Sequence, residues 1–244
     1  MIKENLFHLL KETVQVLIVE DNSSSFELVE NVLGTTSIYR IEWAKTASAA
    51  ARRLGAKQKF HICLLDLGMS DVDGDEFFLI RRYSAEFPIL VFTASDSPGK
   101  GADSVLLGAK AVIEKKTPFD TFQFLKTINY WSLISLINNE YGVKRGTTLE
   151  FATKVLLEKK PCSVTQWADQ MRITDRQLRN LWATAPGFGA KSVLNLFHLY
   201  SNIFQAVEEQ FIGNDLTLGE NKALLQKAFE FFAAHPDQLS SMLA

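Results

Sequence analysis

A short run of apolar residues that ends abruptly in a carboxylate is the feature that most constrains the fold. Residues Ile62–Leu65 read ICLL, and Asp66 follows directly. A run of this length without a polar residue is typical of a strand buried on both faces of a parallel sheet. The next stretch, Gly68–Gly74, is rich in glycine and aspartate, which predicts a loop. Ligands of open α/β sheets bind beyond the carboxyl ends of the strands, so Asp66 is placed for chemistry.

The rest of the N-terminal half repeats this pattern of strand and helix. The five predicted strands are Val14–Val19, Tyr39–Trp43, Ile62–Leu65, Phe87–Phe92 and Gly108–Glu114. The predicted helices are Ser23–Leu33, Ala47–Leu54, Glu76–Glu86, Ser97–Leu107 and Phe119–Asn139. Such alternation favours an α/β doubly wound parallel five-stranded sheet.

The first predicted strand also ends in acids, because Glu20 and Asp21 follow Val19. If this strand and the Asp66 strand are parallel neighbours, three carboxylates meet at one edge of the sheet. Two unit charges about 4 Å apart repel by roughly 4 kcal/mol at an effective dielectric of 20. The group therefore needs protonation or a cation. Ligands that are all oxygen favour a hard ion, Mg²⁺ or Mn²⁺, over zinc.

Two further strand ends supply a hydroxyl and an ammonium group. Thr93 follows the fourth predicted strand, and Lys115 follows the fifth. Together with the acids and a metal ion, these groups make a site for an anionic, oxygen-rich group, most simply a phosphoryl group. Asp66 would be the nucleophile, while Thr93 and Lys115 would bind phosphoryl oxygens.

Four ordered motifs carry a family resemblance. They are EDN at Glu20–Asn22, LLDLGMSDVDG at Leu64–Gly74, FTAS at Phe92–Ser95 and GAKAVIEKKTP at Gly108–Pro118. Over Val14–Lys126 the chain resembles the CheY-like receiver domain of a two-component response regulator. Val112 departs from the pattern, because family members usually carry an aromatic side chain there.

The resemblance implies specific roles for the residues at the sheet edge. Asp66 would accept a phosphoryl group from a sensor histidine kinase. Mg²⁺ would be held by Glu20, Asp21, Asp66 and the backbone carbonyl of Gly68. Thr93 and Lys115 would sense the phosphoryl group.

Length and composition predict a second domain. The chain has 244 residues, 47% of them hydrophobic and 22% charged, which are values of globular proteins. We expect an N-terminal extension at residues 1–13, a receiver domain at 14–128, an extended helix and linker at 129–146, and a helical domain at 147–244. The polar stretch Asn138–Gly146 holds two glycines and is the best boundary.

The predicted helix Phe119–Asn139 carries apolar residues on more than one face, whereas a surface helix shows one stripe. Two explanations remain open. The additional apolar side chains are buried against the second domain, or they form a homodimer contact.

The C-terminal part contains a helix-turn-helix spacing at residues 163–185. Val164–Met171 and Asp175–Ala185 are predicted helices, joined by a short turn. Residues 144–191 carry nine basic and four acidic residues, which suits a polyanion. The candidate DNA contacts are Arg172, Arg176, Gln177, Arg179 and Asn180. Ser163–Ala206 resembles the first helix-turn-helix and linker helix of an AraC-type DNA-binding domain, whose second helix-turn-helix signature is missing here.

These observations favour a phosphorylation-controlled transcriptional regulator. The alternative is a signalling adaptor whose helical domain binds protein rather than DNA. The pattern favours either over an enzyme with a separate substrate, since the cleft offers no residues beyond those the receiver uses. No apolar stretch approaches the ~20 residues needed to span a bilayer, and the two cysteines suggest no disulfide. We therefore expect a cytoplasmic protein without a membrane partner.

Overall fold

The computed structural model describes residues 14–34, 38–56, 60–69, 76–94, 98–144, 146–183 and 189–209. Five parallel strands form one sheet in the order β2-β1-β3-β4-β5. Their bounds are β1 Val14–Val19, β2 Tyr39–Ala44, β3 Ile62–Leu65, β4 Ile89–Thr93 and β5 Ala111–Glu114. The predicted α/β fold of the N-terminal half is confirmed. The strand β2 lies on one side of β1, and β3, β4 and β5 lie on the other. The carboxyl ends of β1 and β3 therefore form a topological switch point, where open sheets of this kind bind ligands.

Two strands begin later than predicted, and each delay has a local reason. Pro88 has no N–H to donate to the ladder, so β4 begins at Ile89 rather than at Phe87. Gly108 has a φ of 116°, and its N–H donates to the carbonyl of Val105. This residue ends the preceding helix, and β5 therefore begins at Ala111.

Nine helices lie in the described residues. Those of the N-terminal half are α1 Ser23–Leu33, α2 Ala47–Gly55, α3 Glu76–Tyr83, α4 Pro98–Leu106 and α5 Thr121–Glu140. Those that follow are α6 Thr148–Lys159, α7 Val164–Gln170, α8 Asp175–Ala183 and α9 Ala190–Glu209. None of the helices in the described part of the chain is long and apolar enough to cross a membrane.

The chain divides into two compact units, and the division falls inside α5, between Ser132 and Leu133. In the first unit, all of β3 and β4 is buried. A cluster that includes Leu17, Cys63, Leu65 and Val91 forms a core. Burial of these strands on both faces explains why their sequences lack the polar alternation of a half-exposed sheet.

The second unit has its own core, to which the end of α5 contributes. Leu133, Ile134, Leu136 and Ile137 are buried and belong to this unit. The additional apolar surface of α5 is thus covered, at these positions, within one chain. The alternative, a homodimer contact through this helix, stays a prediction.

Three aromatic rings and one hydrogen bond organise the helices of the second unit. The Trp167 and Trp182 rings are fully buried with centroids 5.6 Å apart, and Tyr141 lies edge-on to Trp182 at 5.6 Å. The Trp167 indole donates a hydrogen bond to the Ala152 carbonyl at 3.1 Å. These contacts join α6, α7 and α8 around one interior. The predicted N-terminal extension 1–13 and residues 210–244 of the predicted helical domain lie outside the described residues.

Candidate phosphorylation site at the carboxyl edge of the sheet

The strand ends bring three of the predicted residues into direct contact. Glu20 follows β1, Asp66 follows β3 and Lys115 follows β5. The Lys115 ammonium lies 2.6 Å from Glu20 Oε2 and 3.0 Å from Asp66 Oδ2. Both acids are buried, and the lysine side chain is 16% exposed. The ammonium therefore compensates two carboxylates that burial would otherwise make costly.

Backbone hydrogen bonds fix this arrangement. The Asp66 N–H donates to the Val19 carbonyl at 2.9 Å, which places Asp66 beside the end of β1. The Lys115 N–H donates to the Thr93 carbonyl at 2.8 Å, which places Lys115 beside the end of β4. Because parallel strands end at one edge of the sheet, residues up to 95 positions apart reach one site.

Asp21 completes a cluster of carboxylates. Glu20, Asp21 and Asp66 each offer an oxygen, and these atoms lie within 4.8 Å of one another. Three carboxylate oxygens at this separation are the donor set that a hard divalent cation prefers. Within the described residues, these three acids form the cluster of acidic, histidine or cysteine side chains that could hold a metal ion.

Burial raises the pKa of the Glu20 carboxyl above its ordinary value, because the charged form loses its hydration. The hydrogen bond from Lys115 acts in the opposite direction, and the negative charge of Asp66 adds to the increase. A divalent cation would favour the ionised form of Glu20, since opposite charges attract.

The remaining predicted site residues lie near this edge. Thr93 is the last residue of β4 and is buried, and its hydroxyl donates a long hydrogen bond of 3.4 Å to the Ala94 carbonyl. The Gly68 N–H donates to Asp66 Oδ1 at 3.2 Å. A side chain at Gly68 would meet the Asp66 carboxylate at an ordinary contact distance of 3.7 Å. Glycine is therefore tolerated rather than required there.

A match to a family model identifies the N-terminal half of the chain. Residues 16–128 match the family model described as the response regulator receiver domain. The N-terminal half is a response regulator receiver domain. Receiver domains are phosphorylated by histidine kinases, and the presence of one implies two-component signalling.

Three solved receiver domains each match about half of this chain. A signal receiver domain of a putative LuxO repressor protein from Vibrio parahaemolyticus is 21% identical, with a TM-score of 0.46, and the match covers 52% of this chain and 96% of the other. The HemR receiver domain from Leptospira biflexa is 30% identical, with a TM-score of 0.41, over 48% of this chain and 93% of the other. A CheY-like receiver domain protein from Methanospirillum hungatei is 21% identical, with a TM-score of 0.44, over 51% and 97%. No curated protein matches the chain.

Two side chains that the sequence analysis did not single out contact the edge of the receiver domain. The Trp43 indole donates to the Glu20 carbonyl at 2.7 Å. The Lys100 ammonium donates to the Leu67 carbonyl at 3.0 Å. Trp43 could have been found as an aromatic residue at the carboxyl end of a predicted strand. Lys100 gives no such signal, because its contact depends on how α4 packs.

In the second unit the structure places the candidate DNA contacts around α8. Arg172 lies in the turn before this helix with a φ of 57°, and it is exposed, as are Arg176 and Asn180. The Gln177 amide oxygen accepts hydrogen bonds from the Thr174 N–H at 2.8 Å and from its hydroxyl at 3.0 Å. Arg179 Nε lies 3.0 Å from Asp175 Oδ2. Two of the five candidates are therefore engaged with neighbours in their own helix.

Proposed function

We propose that the protein is a response regulator whose Asp66 is phosphorylated by a histidine kinase in the presence of Mg²⁺. The contact of Asp66 with Lys115 at the end of β3, inside a receiver domain, carries this proposal. An Asp66 carboxylate oxygen attacks the phosphorus of a phosphohistidine. The new O–P bond forms as the N–P bond breaks, and the histidine nitrogen leaves.

The chain supplies the groups that this transfer needs. Glu20, Asp21 and Asp66, with the Gly68 carbonyl, would hold Mg²⁺, which supplies neutralisation of charge when bound. The Lys115 ammonium already lies 3.0 Å from Asp66 Oδ2, so a phosphoryl oxygen on that carboxylate would be within its reach. Thr93 offers a hydroxyl whose present hydrogen bond is long and easily exchanged.

The intact mass of the protein after treatment with acetyl phosphate and Mg²⁺ tests the phosphorylation. We expect the mass of one phosphoryl group to be added to the wild type and not to Asp66→Asn. Asp103→Asn, which changes an exposed acid of α4, is the control and should be modified like the wild type. Modification of Asp66→Asn at the wild-type level would contradict the assignment.

We further propose that the helical unit binds DNA through α7 and α8 as a helix-turn-helix. The two helices are joined by Met171–Thr174, and the buried Trp167, Leu178 and Trp182 support them. Their exposed basic residues lie in a stretch of net positive charge. Phosphorylation of Asp66 would control this output by changing the receiver domain.

The observed contacts suggest a division of roles. Arg176 and Asn180 lie four residues apart and thus on one face of α8, where they can reach base edges. The Gln177 amide oxygen is occupied, which leaves its amide N–H groups to donate. Asp175 holds the Nε of Arg179 and leaves the terminal nitrogens of the guanidinium group for a phosphate or a base.

Binding to fragments of the DNA upstream of its own gene tests this output. Fluorescence anisotropy at low salt, with phosphorylated and unphosphorylated protein, should show binding. Arg176→Ala should weaken it by about ten- to one-hundredfold, which corresponds to the loss of one base contact. Lys116→Ala, which removes an exposed lysine of the receiver domain, should leave it unchanged. Absence of binding in both states would exclude the DNA-binding output.

A second candidate is a signalling adaptor whose helical unit binds a protein. It is supported by α9, in which Lys191 is the one basic residue apart from histidine, and by the internal contacts of Gln177 and Arg179. In an adaptor, the double substitution of Arg176 and Arg179 by Ala should leave the output intact. Loss of output in that variant, measured on a reporter of the regulated gene, would exclude this candidate.

A further inference from the structure

Several polar groups around the first acidic motif are held in place by hydrogen bonds. The Glu20 N–H donates to the Ala44 carbonyl at 3.0 Å, and the Asn22 N–H donates to Glu20 Oε1 at 3.2 Å. Asn22 also caps α1, because its side chain accepts a hydrogen bond from the Ser25 N–H at 3.1 Å. The Glu20 carbonyl, which belongs to the peptide that precedes Asp21, also accepts a hydrogen bond. A side chain from β2 binds it.

That side chain is Trp43, and its ring is contacted by an aromatic residue and by a cation. The Phe26 ring stacks on it with centroids 4.1 Å apart and an interplanar angle of 6°. The Lys45 ammonium lies 4.4 Å from the Trp43 ring centroid. Stacking and the attraction of the cation to the ring both favour this orientation of the indole. Its N–H is therefore aimed at the Glu20 carbonyl, 2.7 Å away.

We propose that Trp43 is a positioning residue for divalent cation binding by the acidic cluster. The Glu20 carbonyl and the Asp21 N–H belong to one rigid peptide plane, so the indole that holds the carbonyl also sets the direction in which the chain enters Asp21. Glu20 and Asp21, on either side of this plane, are two of the three clustered acids. Groups that orient metal ligands in this way change metal affinity without touching the ion. The inference rests on the metal site under the proposed function.

Trp43→Phe is the appropriate variant, because it retains an aromatic ring between Phe26 and Lys45 and removes the N–H. We expect Mn²⁺ to bind about tenfold more weakly, as is usual when the support of a metal ligand is lost. Calorimetry and the electron paramagnetic resonance of free Mn²⁺ measure this affinity on the full chain. The thermal midpoint in EDTA should match that of the control variant.

Trp131→Phe is the matched control. Trp131 is a partly buried tryptophan of the same unit, on α5, and its ring contacts Tyr130. Its removal should leave Mn²⁺ affinity unchanged. The indole emission gives a second measurement. Addition of Mg²⁺ should change the fluorescence of the wild type and of Trp131→Phe, and this response should be lost in Trp43→Phe.

The outcomes separate this inference from the metal site itself. A purely structural role would lower the thermal midpoint of Trp43→Phe in EDTA and leave Mn²⁺ affinity unchanged, which would overturn the inference alone. A wild type that binds no Mn²⁺ would overturn the metal site and the inference with it. If Trp43→Phe does not fold, an analogue with sulfur in place of the indole N–H at position 43 removes the donor at nearly constant volume. It should give the same tenfold loss, and unchanged affinity would overturn the inference.

Discussion

The receiver domain and the helical unit use charged residues in opposite ways. In the receiver domain, Lys115 pairs with Glu20 and Asp66, which are distant in sequence, and both acids are buried. In the helical unit, Arg179 pairs with Asp175 four residues away, and the pair is largely exposed. Strand ends can gather distant charges at one buried point, whereas a helix mostly pairs a charge with its own neighbours. The first arrangement suits the proposed phosphorylation, and the second leaves exposed guanidinium nitrogens for the proposed contact with DNA.

The largest expected effect separates the two kinds of ion pair. Lys115→Met leaves two buried acids uncompensated, so we expect the free energy of unfolding at neutral pH in EDTA to fall by about 3 kcal/mol. Urea unfolding followed by fluorescence measures it. Added Mg²⁺ should recover part of the loss, because a cation would again face the acids.

Lys116→Met is the control for this change. The Lys116 side chain is 69% exposed, and it pairs with Glu114. Exposed pairs of this kind contribute about 0–1 kcal/mol. Equal losses for the two variants would show that the Lys115 cluster behaves like a surface ion pair, and the contrast between buried and exposed ion pairs would disappear.

A second prediction concerns the core of the helical unit. Trp167 and Trp182 are both fully buried, but the Trp167 N–H is bonded to Ala152, whereas the Trp182 N–H has no hydrogen-bond partner among the described residues. Replacement by Phe removes the same volume at both positions. Trp167→Phe should therefore cost about 1 kcal/mol more than Trp182→Phe in chemical denaturation. Equal costs would mean that the Trp167 hydrogen bond adds nothing to packing.

A third prediction gives opposite signs for stability and recognition. Arg172 has a φ of 57°, a left-handed conformation that glycine adopts without strain. Arg172→Gly should raise the free energy of unfolding by about 1 kcal/mol and weaken DNA binding. Lys160→Gly is a matched control, because Lys160 caps α6 with a φ of 44° and is not a candidate contact. It should raise stability and leave DNA binding unchanged. A loss of stability in both variants would exclude backbone strain at these caps.

The smallest effect is a pH dependence in the receiver domain. The folded state binds the Glu20 proton more tightly than the unfolded chain, because the pKa of Glu20 is raised above 4.5. Glu20 therefore contributes stability that is complete below pH 4.5 and is lost as the pH rises through the raised pKa. The difference in urea midpoint between the wild type and Glu20→Gln, measured in EDTA from pH 4 to neutral pH, isolates this contribution. A difference that is constant over this range would contradict the shift.

The sequence predicts the receiver domain well because its determinants are local in sequence and simple in space. Each apolar run forms a strand, and parallel strands place Glu20, Asp66 and Lys115 at one edge. Trp43 could be noticed as an aromatic residue at a strand end, but its hydrogen bond and that of Lys100 could not be predicted, since they depend on where a side chain of one element meets the backbone of another. The four ordered receiver motifs also identify Asp66 and Lys115 as site residues.

In the helical unit the sequence predicts the helices but not the state of their side chains. Gln177 has the residue type expected of a base contact, and the same spacing from Thr174 also forms a reciprocal cap. The cap needs a glutamine three residues after a threonine, and a base contact needs only an exposed glutamine, so the sequence fits both uses. Only coordinates show that the amide oxygen faces the helix start.

The cap formed by Thr174 and Gln177 has a consequence for the divergence of this protein. The backbone N–H of Gln177 donates to the Thr174 hydroxyl, and the Gln177 side-chain oxygen accepts a hydrogen bond from the Thr174 N–H. A lineage that alters either partner weakens the start of α8 before it gains a new preference, so the two positions should change together. Within the described part of the chain, no side-chain hydrogen bond joins Arg176 or Asn180 to a neighbour. Under the proposed DNA-binding output, new base preferences should therefore arise at these two positions first.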